Sequence, residues 1–317
     1  MRIPTWIGCL TLTFSVISAY SAAAQGSASS DGPTVQADPQ AAKVPPPPLF
    51  PKHRRGIYRN RAGLEVIDAT PQSPPLDTDD PAVPDSGQYE INFTTHADIS
   101  EQTSRIEVLT VDANYGILPT IGGHTLPMQL KLECPLAAAR EAGEPYNVGV
   151  GAATFGLKSK FYHDEHRGIS LAVYPQVEFA ASGGRGVEKG LSEKGQTIIL
   201  PLLAAREFHE FTFVFNIALE KPINDPGRQV ATELGAAIGR AFTRKVAGMI
   251  ELRSEESANF KADRLVFVNA GFIHGVRNII VYANVGHSLF ADDGFGHTYA
   301  GAGMKVLIDT KKKPAGG

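Results

Sequence analysis

The sequence predicts an all-β fold: a transmembrane antiparallel up-and-down β-barrel of about twelve strands, behind a mostly disordered N-terminal extension. Three observations carry that expectation. From Gln88 to Asp309 the chain is a succession of alternating apolar and polar segments, parted by Gly, Asp, Asn, Pro and charged turns. Its first residues have the order of an export signal. Beyond them no run of twenty apolar residues occurs, so any crossing of a bilayer falls to strands.

The signal reading covers residues 1–24. Arg2 gives the positive start, Ile7 to Ala19 the apolar stretch, and Ala22-Ala23-Ala24 the small-residue cleavage site. Cys9 leaves with that segment, and Cys134 is then the single cysteine, which rules out an intrachain disulfide or a cysteine-based zinc site. Losing Arg2 takes the formal charge from −3 to −4, which excludes a generally basic nucleic-acid binder.

Residues 25–87 are of different material. Gly26 to Pro51 is rich in Ser, Ala and Pro and includes Pro45-Pro46-Pro47-Pro48, a solvated polyproline composition. A basic patch follows, His53-Arg54-Arg55 with Arg59 and Arg61. Then come the short apolar motif Leu64–Ala69 and a second Pro-rich stretch to Pro84. The expectation is a periplasmic extension with at most one short ordered piece.

The barrel is expected over 88–310, with a C-terminal tail at 311–317. Its strands are placed at 88–99, 105–116, 125–135, 147–161, 168–181, 196–206, 209–220, 229–242, 245–254, 263–273, 277–288 and 298–309. Phe211 to Glu220 shows the logic. Phe211, Phe213, Phe215, Ile217 and Leu219 share one face, and Thr212, Asn216 and Glu220 the other, because a strand has period two. Leu126, Met128, Leu130, Leu132 and Cys134 likewise oppose Gln129, Lys131 and Glu133, while Ile279, Val281, Ala283 and Val285 point to lipid. Connections after the third, fifth and ninth strands are long and polar, and those after the fourth, sixth, eighth and tenth are compact. That asymmetry puts the compact turns inside. With 8% aromatic and 43% hydrophobic residues and 32 glycines, the composition suits a barrel in which lipid replaces a buried core. Tyr89, Tyr115 and Tyr162 read as interfacial, whereas Tyr282 and Tyr299 share the polar parity.

Several segments, in order, resemble a known family. Leu76-Asp-Thr-Asp-Asp-Pro81 with Gly87-Gln-Tyr-Glu-Ile-Asn92, then Val148-Gly-Val-Gly151 leading to Gly156-Leu-Lys158 and Phe161, then Leu171-Ala-Val-Tyr-Pro-Gln176, follow the pattern of the outer-membrane channels grouped with the meta-pathway of phenol degradation. The resemblance runs from Leu76 to the end of the barrel. It implies a Gram-negative outer-membrane transporter for small hydrophobic or aromatic compounds. Its surroundings would be outer-membrane lipid and lipopolysaccharide, its partners small-molecule solutes, with no cofactor and no nucleic acid. Ala152 stands where members often carry Asp, so no luminal carboxylate is carried over there. The chain also continues past Asp309 into Lys311–Gly317 rather than closing on an aromatic residue.

A charge on the lipid face costs about 2–4 kcal/mol at the bilayer midplane, so charged residues of polar parity belong in the lumen. Lys131, Glu133, Lys158, Glu178, Glu233, Glu251, Arg253 and Lys305 are the expected pore-lining set, with Glu90, Asp112 and Lys160 as further candidates. The competing reading is that opposite signs pair across neighbouring strands and only satisfy the interior. Taken together they predict a polar lumen of mixed sign, strongly selective for neither cations nor anions. The loop Ala180–Gly195 is the expected gate.

No catalytic set is expected. His287 and Ser288 are adjacent and so point to opposite faces, and Gly183-Gly-Arg-Gly186 precedes no helix that would cradle phosphate. His163-Asp-Glu-His166 has zinc-like residue types but falls in a predicted turn, and Asp292-Asp293-Gly294 with His297 falls in the last outer loop. Turn chemistry explains both more plainly than metal binding. The alternatives to a channel are a structural or anchoring barrel holding a periplasmic partner by its N-terminal arm, an outer-membrane enzyme and a soluble exported β-protein.

Overall fold

The structure, a computed structural model, describes residues 57–59, 65–258, 264–276 and 279–310. The signal segment, the Pro-rich stretch to Pro51, the basic patch apart from the backbone of Arg59, and the 311–317 tail lie outside the described residues.

Two short strands, β1 (Ile57–Arg59) and β2 (Glu65–Ile67), pair antiparallel ahead of the barrel. The barrel wall opens with β3 (Gln88–Ile99) and β4 (Thr103–Ile117). A small hairpin, β5 (Thr120–Ile121) and β6 (His124–Thr125), turns at Gly122 and Gly123. Both have positive φ, 58° and 81°, as a two-residue hairpin turn requires. The wall continues with β7 (Met128–Glu141), β8 (Asn147–Val150), β9 (Ala152–Asp164), β10 (Ile169–Val173) and β11 (Gln176–Ala180). One helical turn follows, α1 (Gly184–Glu188). The remaining strands are β12 (Gln196–Phe208), β13 (Phe211–Ile223), β14 (Ala231–Ala241), β15 (Val246–Ser257), β16 (Leu265–Val276), β17 (Ile279–Ala291) and β18 (Thr298–Asp309).

Every wall strand pairs antiparallel with its neighbours, and β18 pairs with β3 from Thr298↔Ile99 to Asp309↔Gln88. The sheet is therefore closed. Its wall has twelve ribbons, two of them interrupted: β8/β9 at Gly151, and β10/β11 at Tyr174-Pro175. Each break faces a proline on a neighbouring strand. Gly151 N–H donates to Pro135 O on β7 (2.9 Å), and Tyr174 N–H to Pro201 O on β12 (3.0 Å). Proline returns no N–H to the ladder, so the opposing ribbon loses a bond and bulges.

The first and last strands lie where the sequence puts them. The third differs: β7 begins at Met128 and runs on to Glu141, so the connection expected to be long is confined to 142–146. The second connection, 118–127, holds the β5–β6 hairpin and is the exception to compact turns at the rim where the chain enters and leaves. That rim is here the terminal rim, and the opposite one the loop rim.

Parity holds along the wall. Leu132, Phe215, Ile217, Ile250 and Val285 are exposed on the outer surface. Thr212, Val214, Asn216 and Ala218 of β13 are buried on the inner one. Tyr89, Tyr162, Phe208 and Phe242 are exposed close to the terminal rim, and Tyr89 lies against Tyr115 at a ring distance of 4.5 Å. Tyr282 and Tyr299 are buried inward.

The lumen holds what the sequence reading did not place there. Ile67, Ala69 and Leu76, from the extension expected to be mostly disordered, form an apolar cluster with Ala237, Ala247, Met249, Ile273, Ile280 and Tyr282 of the inner wall. So lipid does not wholly replace a core here. A small one is built inside, on the side chains of Ile67, Ala69 and Leu76, which find apolar cover there.

Candidate functional site: a charged lumen crossed by residues 65–85

From Ile67 to Asp85 the chain runs through the barrel, and the wall is shaped to it. A Cβ on Gly239 would overlap the Ala69 carbonyl oxygen, one on Gly235 would lie 2.6 Å from Thr78 Oγ1, and one on Gly271 3.0 Å from Leu76 Cδ2. At the terminal rim a Cβ on Gly116 would strike the carbonyls of Pro84 and Asp85. Side-chain-free positions on β4 and β14 thus admit backbone, and Gly271 on β16 admits the Leu76 side chain.

Charged groups then fix the segment. Gln72 Oε1 accepts from Lys305 Nζ (2.7 Å), which also pairs with Glu90 (2.7 Å). The Glu251 carboxylate, fully buried, accepts the backbone N–H of Thr78 and of Asp77 (3.2 Å) and the Asn269 amide (3.0 Å). Arg253 reaches Asp77 (3.4 Å) and Glu233 (2.7 Å). Lys158, under the Tyr174 ring at 4.7 Å, pairs with Asp79 (2.7 Å) and donates to the Asp80 carbonyl (2.9 Å). Burial pushes the Asp80 carboxyl up to about 7, against the opposing pull of Lys158.

All eight residues expected to line a pore carry inner-face parity, and the segment engages half of them directly. Lys158, Glu251, Arg253 and Lys305 hold residues 72–80, as above. Lys131 and Glu133 pair with one another on β7 (2.8 Å), and Glu233 is bound to Arg253 across β14–β15. Glu178 stands half-buried between Thr154 and Thr197 on the flanking strands. Among the further candidates, Asp112 accepts the amides of Asn92 (2.9 Å) and Asn114 (3.0 Å). Asp77, Asp79, Asp80 and Gln72 were not among the expected luminal residues. They lie in a Pro-rich stretch, where composition hides a role that only the inward-facing glycines of β14 and β16 hint at.

The segment divides the space. A cavity of about 100 Å³ lies toward the terminal rim, walled by Gln72, Asp80, Glu90, Lys131, Lys158 and Lys305. A larger one of about 360 Å³ lies toward the loop rim, bounded below by Pro74, Pro75 and Asp77. Ser73 and Asp112 border both. The loop 181–195 tucks toward β8: Ser182 donates to Val150 O (3.0 Å), Lys189 to Val148 O (3.0 Å), and Arg105 of β4 to Leu191 O (3.2 Å).

The two histidine motifs are engaged locally. His163 Nδ1 bonds Ser170 Oγ (2.9 Å), while Asp164 caps the Arg167 N–H (2.9 Å). His297 sits between Asp98 (3.1 Å) and Asp293 (2.9 Å). Partial burial opposes its protonation, but hydrogen bonds to the two carboxylates prevail and raise its pKa above the ordinary 6.5.

A closed twelve-ribbon wall, apolar outside and charged within, defines the class: a β-barrel of the outer-membrane type. Neither a protein-family model nor a curated protein matches the sequence. Solved structures do. An outer-membrane channel from Pseudomonas putida F1 aligns with a TM-score of 0.57 at 11% identity, over 72% of this chain and 97% of that one. The NanC porin gives 0.46 at 6% identity over 68% and 98%, and the KdgM porin in complex with oligogalacturonate 0.41 at 8% over 68% and 98%. At such identities the likeness is one of fold. The resemblance read from the sequence is thus met at the level of the closed barrel fold.

Proposed function

We propose that this protein is an outer-membrane channel that passes small solutes, hydrophobic or aromatic ones among them, through a lumen narrowed by its own residues 65–85. The observation that carries the reading is the pair of polar cavities, one on each side of the crossing segment, inside a wall whose outer surface is apolar. Lipid and lipopolysaccharide would surround that outer surface. A channel needs a path and a constriction, and no catalytic group enters this account. Export through the N-terminal signal belongs to the same proposal and rests on the sequence.

The test is single-channel recording on the refolded mature protein in planar bilayers, with phenol and catechol added. Small steady conductance that these solutes block supports a channel with an aromatic-binding constriction. A heat-modifiable barrel that inserts and never conducts refutes it, and favours a structural or anchoring barrel.

A further inference from the structure

We infer that the loop-side cavity is a binding vestibule for small organic cations, ammonium or diamine, and that it makes the barrel prefer cations over anions. The inference deepens the channel reading and rests on it for its transport part. The sequence predicts a lumen of mixed sign and little selectivity, but the placement of the charges is uneven. Six carboxylates border the cavity: Asp77, Asp98, Glu107, Asp112, Glu133 and Glu255. Two guanidinium groups face them, Arg105 and Arg253.

Of the six, Glu133 is paired with Lys131 (2.8 Å) and Asp98 with His297 (3.1 Å). The excess is therefore carried by Asp77, Glu107, Asp112 and Glu255 against the two guanidinium groups, and those two cations are already committed. Arg253 is shared among Asp77 (3.4 Å), Glu233 (2.7 Å) and Glu255 (3.8 Å). Arg105 gives a hydrogen bond to Leu191 O (3.2 Å) and meets Glu107 only at 3.9 Å. Asp112 supplies an independent sign. It is 4% exposed, its Oδ2 takes both asparagine amides, and its Oδ1 has no partner. A buried carboxylate oxygen without a donor, bordering a negative cavity, is completed by a cation that brings N–H groups.

The physics favours one sign. Carboxylates in a cleft with low-dielectric walls focus the field and raise the local concentration of cations by about tenfold or more. An anion meets the same field as a barrier. Among the described residues no set of three His, Cys, Asp or Glu side chains converges as a metal site would need. The spread of carboxylates across a 360 Å³ space suits an ammonium or a diamine better than a coordinated metal ion.

Two measurements test it on the full-length refolded protein. Reversal potentials in a KCl gradient should give a cation-to-anion permeability ratio of about 10. The double variant Glu107→Gln/Glu255→Gln should bring the ratio toward 1, and Arg105→Gln should raise it. A wild-type ratio at or below 1, or one that neither variant moves, overturns the inference. Should the barrel insert without conducting, the channel reading fails by itself, and calorimetric titration with putrescine in detergent decides the vestibule. Saturable binding that weakens about tenfold in the double variant sustains it. The absence of saturable heat in the wild type overturns it.

Discussion

Replacing Glu251 by Gln should loosen the luminal segment without opening the wall. The carboxylate sits on β15, fully buried, and accepts the N–H groups of Asp77 and Thr78 together with the Asn269 amide. Hydrogen bonds to a charged group contribute about 1.5–3 kcal/mol each, and glutamine presents an amide NH₂ to one of these donors. A net loss of about 2–4 kcal/mol corresponds to a rise of about 30- to 1,000-fold in the population with the segment released. Thr78 is fully buried, so a Thr78→Cys reporter in a Cys134→Ser background reads that population through its reaction with a membrane-impermeant thiol reagent. When release and return are fast, the labelling rate follows the released fraction. A rate within about threefold of the parent would refute the assignment of Glu251 as the anchor, because such a change amounts to under 1 kcal/mol.

Four further outcomes are expected. Gly239→Ala puts a methyl group onto the Ala69 carbonyl oxygen and should speed labelling of the same reporter by about 5- to 150-fold, the effect of about 1–3 kcal/mol of overpacking. Gly227→Ala, whose nearest neighbour would be 3.4 Å away in the 224–230 loop, should leave the labelling rate unchanged. Asp80 titrates near 7 when docked and near 3.8 when released, so the docked state holds the extra proton between those values. Docking therefore weakens as pH rises from about 4 to about 7 and levels off above; labelling normalised to an unfolded peptide should show the rise, and Asp80→Asn should flatten it. Deletion of 183–192 should raise single-channel conductance if the loop that Arg105 holds narrows the path, and unchanged conductance would remove the loop from it.

The wall was legible because alternation is local. Inner and outer faces follow from every second residue, and a charge of wrong parity would face lipid, so the strands and their facing could be read from Gln88 to Asp309. The segment was not legible. Residues 70–85 carry five prolines and four aspartates, a composition that reads as solvated coil, and what orders them is distant in the chain: Glu251, Arg253, Asn269 and Lys305. Inward glycines at 235, 239 and 271 were the available signal. Period two marks such positions as polar-parity gaps rather than as room for the luminal segment. The inward facing of these charges was legible and their pairing was not, since parity gives a face and no partner. That is how a lumen of mixed sign concealed a loop-side cavity bordered by six carboxylates and two guanidinium groups.

The seam between β3 and β18 sets an order of events. The first strand of the wall finds its second neighbour only in the last, so the barrel has two open edges until Thr298–Asp309 has been made. An open edge is intolerable in hydrocarbon, where its N–H and C=O groups meet no partner. Insertion must therefore follow synthesis of nearly the whole chain, and sealing is its last act. The seam ends where residues 65–85 join the wall: Thr310 N–H donates to Gly87 O (3.1 Å), and Gly87 N–H to Gly116 O (2.8 Å). Zipping the seam to its end thus fixes the root of the luminal segment, and the barrel's final stitch is also the one that seats its contents.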